Sequence, residues 1–122
     1  MEKFDSIVNM KDINWNTKEN KQLIDAVLAL KNADEAKRFL RDLMTEGEIA
    51  EFANRLEAAS LLSKDVQYFA ISESTGLSST TIARISKWLK GNLGGYRLIL
   101  DRLSGNHHHN SSKLRKGLSL NS

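Results

Sequence analysis

The chain has 122 residues, which is enough for one domain with a single hydrophobic core. It contains no cysteine, which excludes disulfides and thiolate metal sites, and no apolar run reaches the roughly 20 residues of a membrane-spanning helix. Residues 1–63 carry nine Lys/Arg and twelve Asp/Glu, whereas residues 64–122 carry nine Lys/Arg and three Asp/Glu. This asymmetry favours separate assembly and polyanion-binding regions, although an ordinary solubilising charge mixture would also produce it.

The N-terminal part is predicted to be an arm followed by two helices. Residues 1–16 show no periodicity, and their acidic start without a long apolar core predicts no secretory signal and a cytoplasmic protein. Thr17 is a suitable N-cap for the first helix, and a second helix is expected from about Ala33. The first helix carries a wide apolar stripe at helical spacing, formed by Leu23, Ile24, Val27, Leu28 and Leu30.

The pair Thr45 and Glu48 forms a capping-box pattern that opens a third helix, which is expected to reach about Ser63. A turn at residues 64–65 precedes two short helices on either side of Gly76, and a last helix is expected from Tyr96 to about Leu103. The apolar stripes of the first and third helices are wider than one short partner would cover, so we expect a symmetric homodimer. The domain thus covers residues 17–103, and residues 104–122 are expected to be a flexible basic tail.

Residues 66–90 have the spacing of a helix-turn-helix. Gly76 lies where the chain needs a positive φ, Leu77 is expected to fill the space between the two helices, and Ser78 can cap the second helix. Ile82 and Ile85 are then predicted to face inward.

The remaining positions of the second helix face outward in this interpretation. Short hydroxyl and methyl groups near its start can approach base edges in a major groove, and the cations further along can meet phosphates. A helical hairpin with a polar exposed face is the structural alternative. Phe69 is expected in the core, while Tyr68 is expected either to donate to a phosphate or to be structural. The predicted DNA contacts are Tyr68, Ser79, Thr80, Thr81, Ala83, Arg84, Lys87 and Lys90.

The order of these blocks resembles the Trp repressor superfamily, in particular its YerC/YecD type. The resemblance covers about two-thirds of the chain. It implies an all-α, six-helix Trp repressor-like fold, an intertwined homodimer, one recognition helix per subunit in successive major grooves, and transcriptional repression. The blocks that carry it are residues 29–43 (ALKNADEAKRFLRDL), Thr45-x2-Glu48, residues 54–58 (NRLEA), 71–76 (ISESTG), 79–85 (STTIARI) and 94–96 (GGY).

The resemblance also places a possible ligand pocket at Arg55 and Arg84, since Trp repressors hold their amino acid between two arginines. The residue after the second arginine must be very small to admit an indole, and here it is Ile85. We expect Ile85 and Trp88 to fill that cleft, so no tryptophan corepressor is predicted, and regulation by another ligand stays open. Arg55 is equally well explained by a salt bridge on the central helix.

The sequence offers no credible catalytic centre and no metal site, so we expect neither enzymatic activity nor a cofactor. His107, His108 and His109 are adjacent in a Gly/Asn/Ser-rich segment that would not fix a coordination geometry. The basic residues of the same tail, Lys113, Arg115 and Lys116, are expected either to add nonspecific phosphate contacts or simply to be solvated.

These patterns predict a homodimeric, sequence-specific regulator of transcription that binds double-stranded DNA, and specifically a repressor. Two hypotheses compete with it. A protein-docking helix-turn-helix in a transcription or replication assembly would need exposed apolar anchors, which Ser79, Thr80, Thr81 and Ala83 do not supply. The DNA-targeting part of a recombinase would need a catalytic domain on another chain.

Overall fold

The computed structural model describes residues 12–105, which contain six helices and no strand. Residues 104 and 105, which were predicted to begin the tail, are helical; the rest of that tail, with its three histidines, and residues 1–11 of the predicted arm lie outside these described residues. The helices are α1 (Lys18–Ala29), α2 (Ala33–Leu43), α3 (Glu46–Ser63), α4 (Tyr68–Thr75), α5 (Ser79–Leu89) and α6, which is helical over residues 95–105. The prediction of an all-α fold is confirmed.

Side-chain caps begin the first three helices. The Thr17 hydroxyl accepts a hydrogen bond from the backbone N–H of Asn20, and Asn32 does the same for Glu35 at the start of α2. At α3 the capping box is complete: the Thr45 hydroxyl accepts from the N–H of Glu48 (3.1 Å), and the Glu48 carboxylate accepts from the N–H of Thr45 (2.9 Å). Each cap satisfies backbone donors that the helix leaves unpaired, and the Thr17 cap and the Thr45–Glu48 box are confirmed, whereas the Asn32 cap was not predicted.

The chain divides into two compact units at Met44–Thr45. The first unit contains α1 and α2, and neither helix has a single buried side chain. Most of its large apolar residues are exposed instead, while Leu30 and Phe39 are half-buried; the exposed ones include Leu23, Ile24, Val27, Leu28, Leu40 and Leu43. Two helices that bury little of their apolar stripes lack the main source of stability that helices in proteins have.

The second unit holds the core. Helices α3, α4 and α5 pack against one another, and five side chains between them are fully buried: Ala58, Ala59, Ile71, Ile82 and Ile85. The two alanines on α3 have no bulk beyond Cβ, so the shorter helices can approach that helix closely. The inward positions predicted for α5 are therefore confirmed.

Helix α6 is attached to this core near its start. Tyr96 and Leu100 pack against the buried cluster while remaining partly accessible. Burial raises the pKa of the Tyr96 phenol above its ordinary value of 10.0, and the positive charge of Arg55 opposes that shift. Leu98, Ile99 and Leu103 of the same helix stay exposed.

Candidate nucleic-acid interface

Gly76 makes the turn between α4 and α5. Its φ is 78°, in the left-handed region, and its N–H donates to the carbonyl of Ser72 at 2.8 Å. A Cβ built on Gly76 would meet no atom within 4 Å, so the turn requires glycine for its backbone conformation rather than for space. The predicted positive φ at this position is confirmed.

Two hydroxyl groups fix Leu77, the residue that follows the turn. The buried Thr75 hydroxyl donates to the Ile71 carbonyl (2.7 Å) and accepts from the N–H of Leu77 (3.2 Å). The Ser72 hydroxyl donates to the Leu77 carbonyl at 2.8 Å. Both polar groups of the Leu77 backbone are thus satisfied from α4, and the Leu77 side chain packs against the core between the helices as predicted.

Ser78 begins α5 as an N-cap, as the sequence predicted. Its hydroxyl accepts from the N–H of Thr81 and donates to the Thr81 hydroxyl, both at 3.1 Å. Thr81 is consequently half-buried beside the cap, whereas the sequence analysis placed it with the fully outward residues. On a helix, Thr81 lies one turn before the buried Ile85, at the margin of the inward face.

The outward face of α5 consists of exposed residues one turn apart. Thr80, Ala83, Arg84 and Lys87 follow the spacing i, i+3, i+4, i+7 and therefore share one side of the helix. Ser79 at the start and Lys90 at the C-cap are exposed as well. Arg84, Lys87 and Lys90 form no ion pair with any residue in the described range 12–105, so their charges are not neutralised within it.

The charged residues in the sequence around this face are all positive. From residue 74 to residue 100 the sequence contains Arg84, Lys87, Lys90 and Arg97 and no Asp or Glu. Exposed cations with no carboxylate among their sequence neighbours create a positive potential that attracts a polyanion.

Phe69 corrects the sequence analysis, which expected it in the core. It is 75% exposed on α4. The buried side chains of α4 are Ile71 and Thr75, and a residue two positions before Ile71 lies about 200° from it around a helix. Tyr68, the first residue of the helix, is 41% exposed.

Trp88 also departs from the expectation. Ile85 is fully buried, as predicted, but Trp88 remains 48% exposed and does not act as a core residue. The inward stripe of α5 continues from Ile82 and Ile85 to the half-buried Leu89, which leaves Trp88 on the flank.

Arg55, one of the two arginines of the implied ligand pocket, is engaged on its own helix. Its guanidinium pairs with the Glu51 carboxylate (Nη2 to Oε2, 2.6 Å; Nε to Oε2, 3.2 Å) and lies 5.7 Å from the centroid of the Phe52 ring. This is the salt bridge that the sequence analysis gave as the alternative to ligand binding. Arg84 has no such partner among residues 12–105.

Within the part of the chain that the structure describes, no helix is both long and apolar enough to cross a membrane. The same residues contain no group of three or more His, Cys, Asp or Glu side chains placed to hold a metal ion.

Comparison with known proteins agrees with this architecture. Residues 18–104 match the family model of the Trp repressor protein. The chain is 38% identical over 96 residues to the uncharacterized protein YerC of Bacillus subtilis (strain 168), covering 79% of this chain and 92% of YerC. A crystal structure of a TrpR-like protein from Eubacterium eligens ATCC 27750 superposes with a TM-score of 0.69 at 38% identity, covering 74% of this chain and 93% of that one. The chain therefore belongs to the Trp repressor family, a family of helix-turn-helix DNA-binding regulators.

Proposed function

We propose that this protein is a homodimeric, sequence-specific transcriptional repressor that places α5 of each subunit in the major groove of duplex DNA. The observation that carries the proposal is the outward face of α5, where Thr80, Ala83, Arg84 and Lys87 are exposed together. Short polar and methyl groups allow the helix to approach base edges closely, and the longer cations reach the flanking phosphates.

The residues assigned to DNA contact have different tasks. The residues that approach the bases are Ser79, Thr80 and Ala83. Arg84 reaches either the bases or the adjacent backbone. The residues that contact phosphates are Tyr68, Lys87 and Lys90. Thr81 contributes mainly by fixing the start of the helix, because its hydroxyl and its N–H are both bonded to Ser78. With so few long side chains at the base edges, part of the sequence preference comes from bridging waters and DNA shape.

The apolar surface of the single chain supports the proposed dimer. Neither α1 nor α2 buries a side chain, and exposed leucine and isoleucine residues also mark one side of α6. A second copy of the chain, related by two-fold symmetry, has the same apolar stripes and can cover them. The symmetric dimer also separates its two α5 helices so that each can enter one of two successive major grooves. The protein would act where DNA is held, in the cytoplasm, and without a tryptophan corepressor, because Ile85 is bulky at the position where the family's ligand requires space.

The central experiment is the selection of bound duplexes from a random pool, followed by fluorescence anisotropy on the selected sequence. A two-fold symmetric consensus is expected from a dimer. Arg84→Ala should weaken binding at least tenfold, because each of the two subunits loses one phosphate or base contact. Arg38→Ala is the matched control, because it removes an exposed arginine of α2, which is not part of the helix-turn-helix segment. Equal affinity of Arg84→Ala and Arg38→Ala would contradict the assignment.

A salt titration tests the electrostatic part separately. If the dimer neutralises about six phosphates, affinity should fall about a thousandfold between 50 and 200 mM salt. An affinity that hardly changes over this range would reject phosphate contacts by the α5 cations. A reporter placed downstream of the selected site should lose expression when the protein is produced, as expected of a repressor.

One observation favours the alternative of a protein-docking module. Phe69 is the kind of exposed apolar anchor that such a surface needs, and the sequence analysis had counted none. Phe69→Ala distinguishes the two functions when compared with Arg84→Ala. If the protein binds DNA, Arg84→Ala should lower the affinity for the selected duplex more than Phe69→Ala does. If it is a docking module, the selection should yield no bound DNA sequence.

A further inference from the structure

One hydrogen bond joins the end of α5 to α6 across the intervening loop. The guanidinium of Arg97 donates from Nη1 to the main-chain carbonyl of Leu89 at 2.5 Å. Leu89 is the last residue of α5, and Arg97 lies in the first turn of α6, eight residues later. The contact therefore ties the C-terminal end of the proposed DNA-reading helix to the next helix.

The carbonyl of Leu89 has a physical reason to receive this bond. The last carbonyls of a helix have no partner within it. At the end of α5 the Ser86 carbonyl accepts from the N–H of Lys90 (3.1 Å) and the Trp88 carbonyl from the N–H of Gly91 (3.0 Å). The Arg97 guanidinium supplies the missing donor for the Leu89 carbonyl. Its positive charge also lies at the negative end of the α5 dipole, where a cation is stabilising.

The loop is shaped to admit the guanidinium. Gly94 has a φ of 69°, and a Cβ at that position would lie 2.8 Å from Nη2 of Arg97. Glycine is thus favoured by the backbone conformation, and a Cβ here would displace the end of the Arg97 side chain from its present position. The Gly94 carbonyl also accepts from the N–H of Leu98 (2.9 Å), so the same glycine begins the hydrogen bonding of α6.

Helix α6 can hold the end of α5 in place because α6 itself packs against the core. Tyr96 and Leu100, on either side of Arg97 in the sequence, pack against the buried cluster of Ala58, Ala59 and the three isoleucines. A bond from Arg97 to Leu89 consequently fixes the far end of α5 relative to the core, whereas the near end is already fixed by the Ser78 cap and the Thr75 hydroxyl.

We propose that Arg97 is a positioning residue for DNA recognition, which acts by holding the C-terminal end of α5 rather than by contacting DNA. This inference rests on the proposed function of α5. When the bond is lost, the end of α5 that carries Lys87 and Lys90 samples other positions, and the apparent affinity falls with the fraction of molecules that remain competent.

The test uses the full-length protein with Arg97→Ala, Arg97→Lys and the control Arg102→Ala. Arg102 is an exposed arginine on the same helix with no ion pair to a residue in the described range. Fluorescence anisotropy on the selected duplex should show about threefold weaker binding per subunit, or about tenfold for the dimer, with Arg97→Ala. Arg97→Lys, which keeps the charge and a donor, should recover part of this loss, and Arg102→Ala should bind as the parent protein does.

Two further readouts separate positioning from other roles. Amide hydrogen exchange without DNA should be faster at Lys90 and Gly91 in Arg97→Ala, and unchanged at the Ile71 and Ile82 amides of the core. The slope of log affinity against log salt should stay that of the parent protein, because a positioning residue neutralises no phosphate. A slope smaller by about two units would show direct phosphate contact and overturn the proposal.

Unchanged affinity in Arg97→Ala, or faster exchange spread over the whole of the described core instead of the end of α5, would also overturn it. Loss of the dimer or of the fold in Arg97→Ala, checked by sedimentation and circular dichroism, would make Arg97 a general structural residue and would equally reject the proposal. Failure of the parent protein to bind any duplex would instead contradict the proposed function, and the exchange experiment would still report on the bond to Leu89.

Discussion

Replacing Thr75 with valine removes the hydroxyl that connects α4 to the turn while keeping the size and branching of the side chain. In the parent protein this hydroxyl is buried, donates to the Ile71 carbonyl (2.7 Å) and accepts from the Leu77 N–H (3.2 Å). Each hydrogen bond contributes about 1 kcal/mol net, and the Leu77 N–H loses its partner in a partly buried position. Thr75→Val should therefore lower the free energy of unfolding by about 2 kcal/mol.

The matched control is Thr75→Ser, which keeps both hydrogen bonds and removes one methyl group, at a cost of about 1 kcal/mol. Urea unfolding followed by circular dichroism, at one fixed protomer concentration, measures both variants. The expected order of stability is parent, then serine, then valine. If packing alone mattered, valine would be at least as stable as serine, and that order would refute the role given to the hydroxyl.

Three further outcomes are expected. Ser78→Ala removes the N-cap of α5 and should cost about 1 kcal/mol of unfolding free energy in urea, whereas Ser79→Ala, one residue later, should change it little; equal effects would contradict the cap. Ile85→Ala leaves a cavity in the core and should cost about 3 kcal/mol in the same assay, and a loss below 1 kcal/mol would mean that this site is not packed. Because burial raises the pKa of Tyr96, the folded state favours the neutral phenol. The contribution of Tyr96 to the free energy of unfolding is therefore complete below pH 10.0 and is lost as the pH rises through the higher folded pKa. Tyr96→Phe should flatten this decline in unfolding experiments at alkaline pH, and an unaltered pH profile would assign the effect to other groups.

The features of the fold that were predictable are those set by neighbours in the sequence. The Thr17 and Ser78 caps and the Thr45–Glu48 box each link a side chain to a backbone group three residues away. Gly76 adopts the backbone conformation that only glycine adopts easily. The inward spacing of Ile82 and Ile85 repeats at the helical period, so the opposite, outward side of α5 followed from the same spacing.

The aromatic residues show where such reasoning was insufficient. Phe69 was expected in the core and Trp88 in the cleft that the family's ligand would occupy, yet their exposure depends on which side of each helix meets the core. For Phe69 a usable signal existed, since two residues of separation from Ile71 place it on the opposite side of α4. For Trp88 the stripe that continues to Leu89 gave a similar indication.

The sequence alone determined the number of helices, their caps, the glycine turn and the residues that face away from the core on α5, because each depends on contacts within about four residues of the chain. Only the tertiary structure decided which side of α3 meets the two shorter helices, where Ala58 and Ala59 are fully buried, and that Arg97 reaches back to the Leu89 carbonyl. The last of these depends on the path of a loop and on the packing of α6. No local pattern of side chains encodes such a contact, because the distance between its partners is set by the packing of the whole unit.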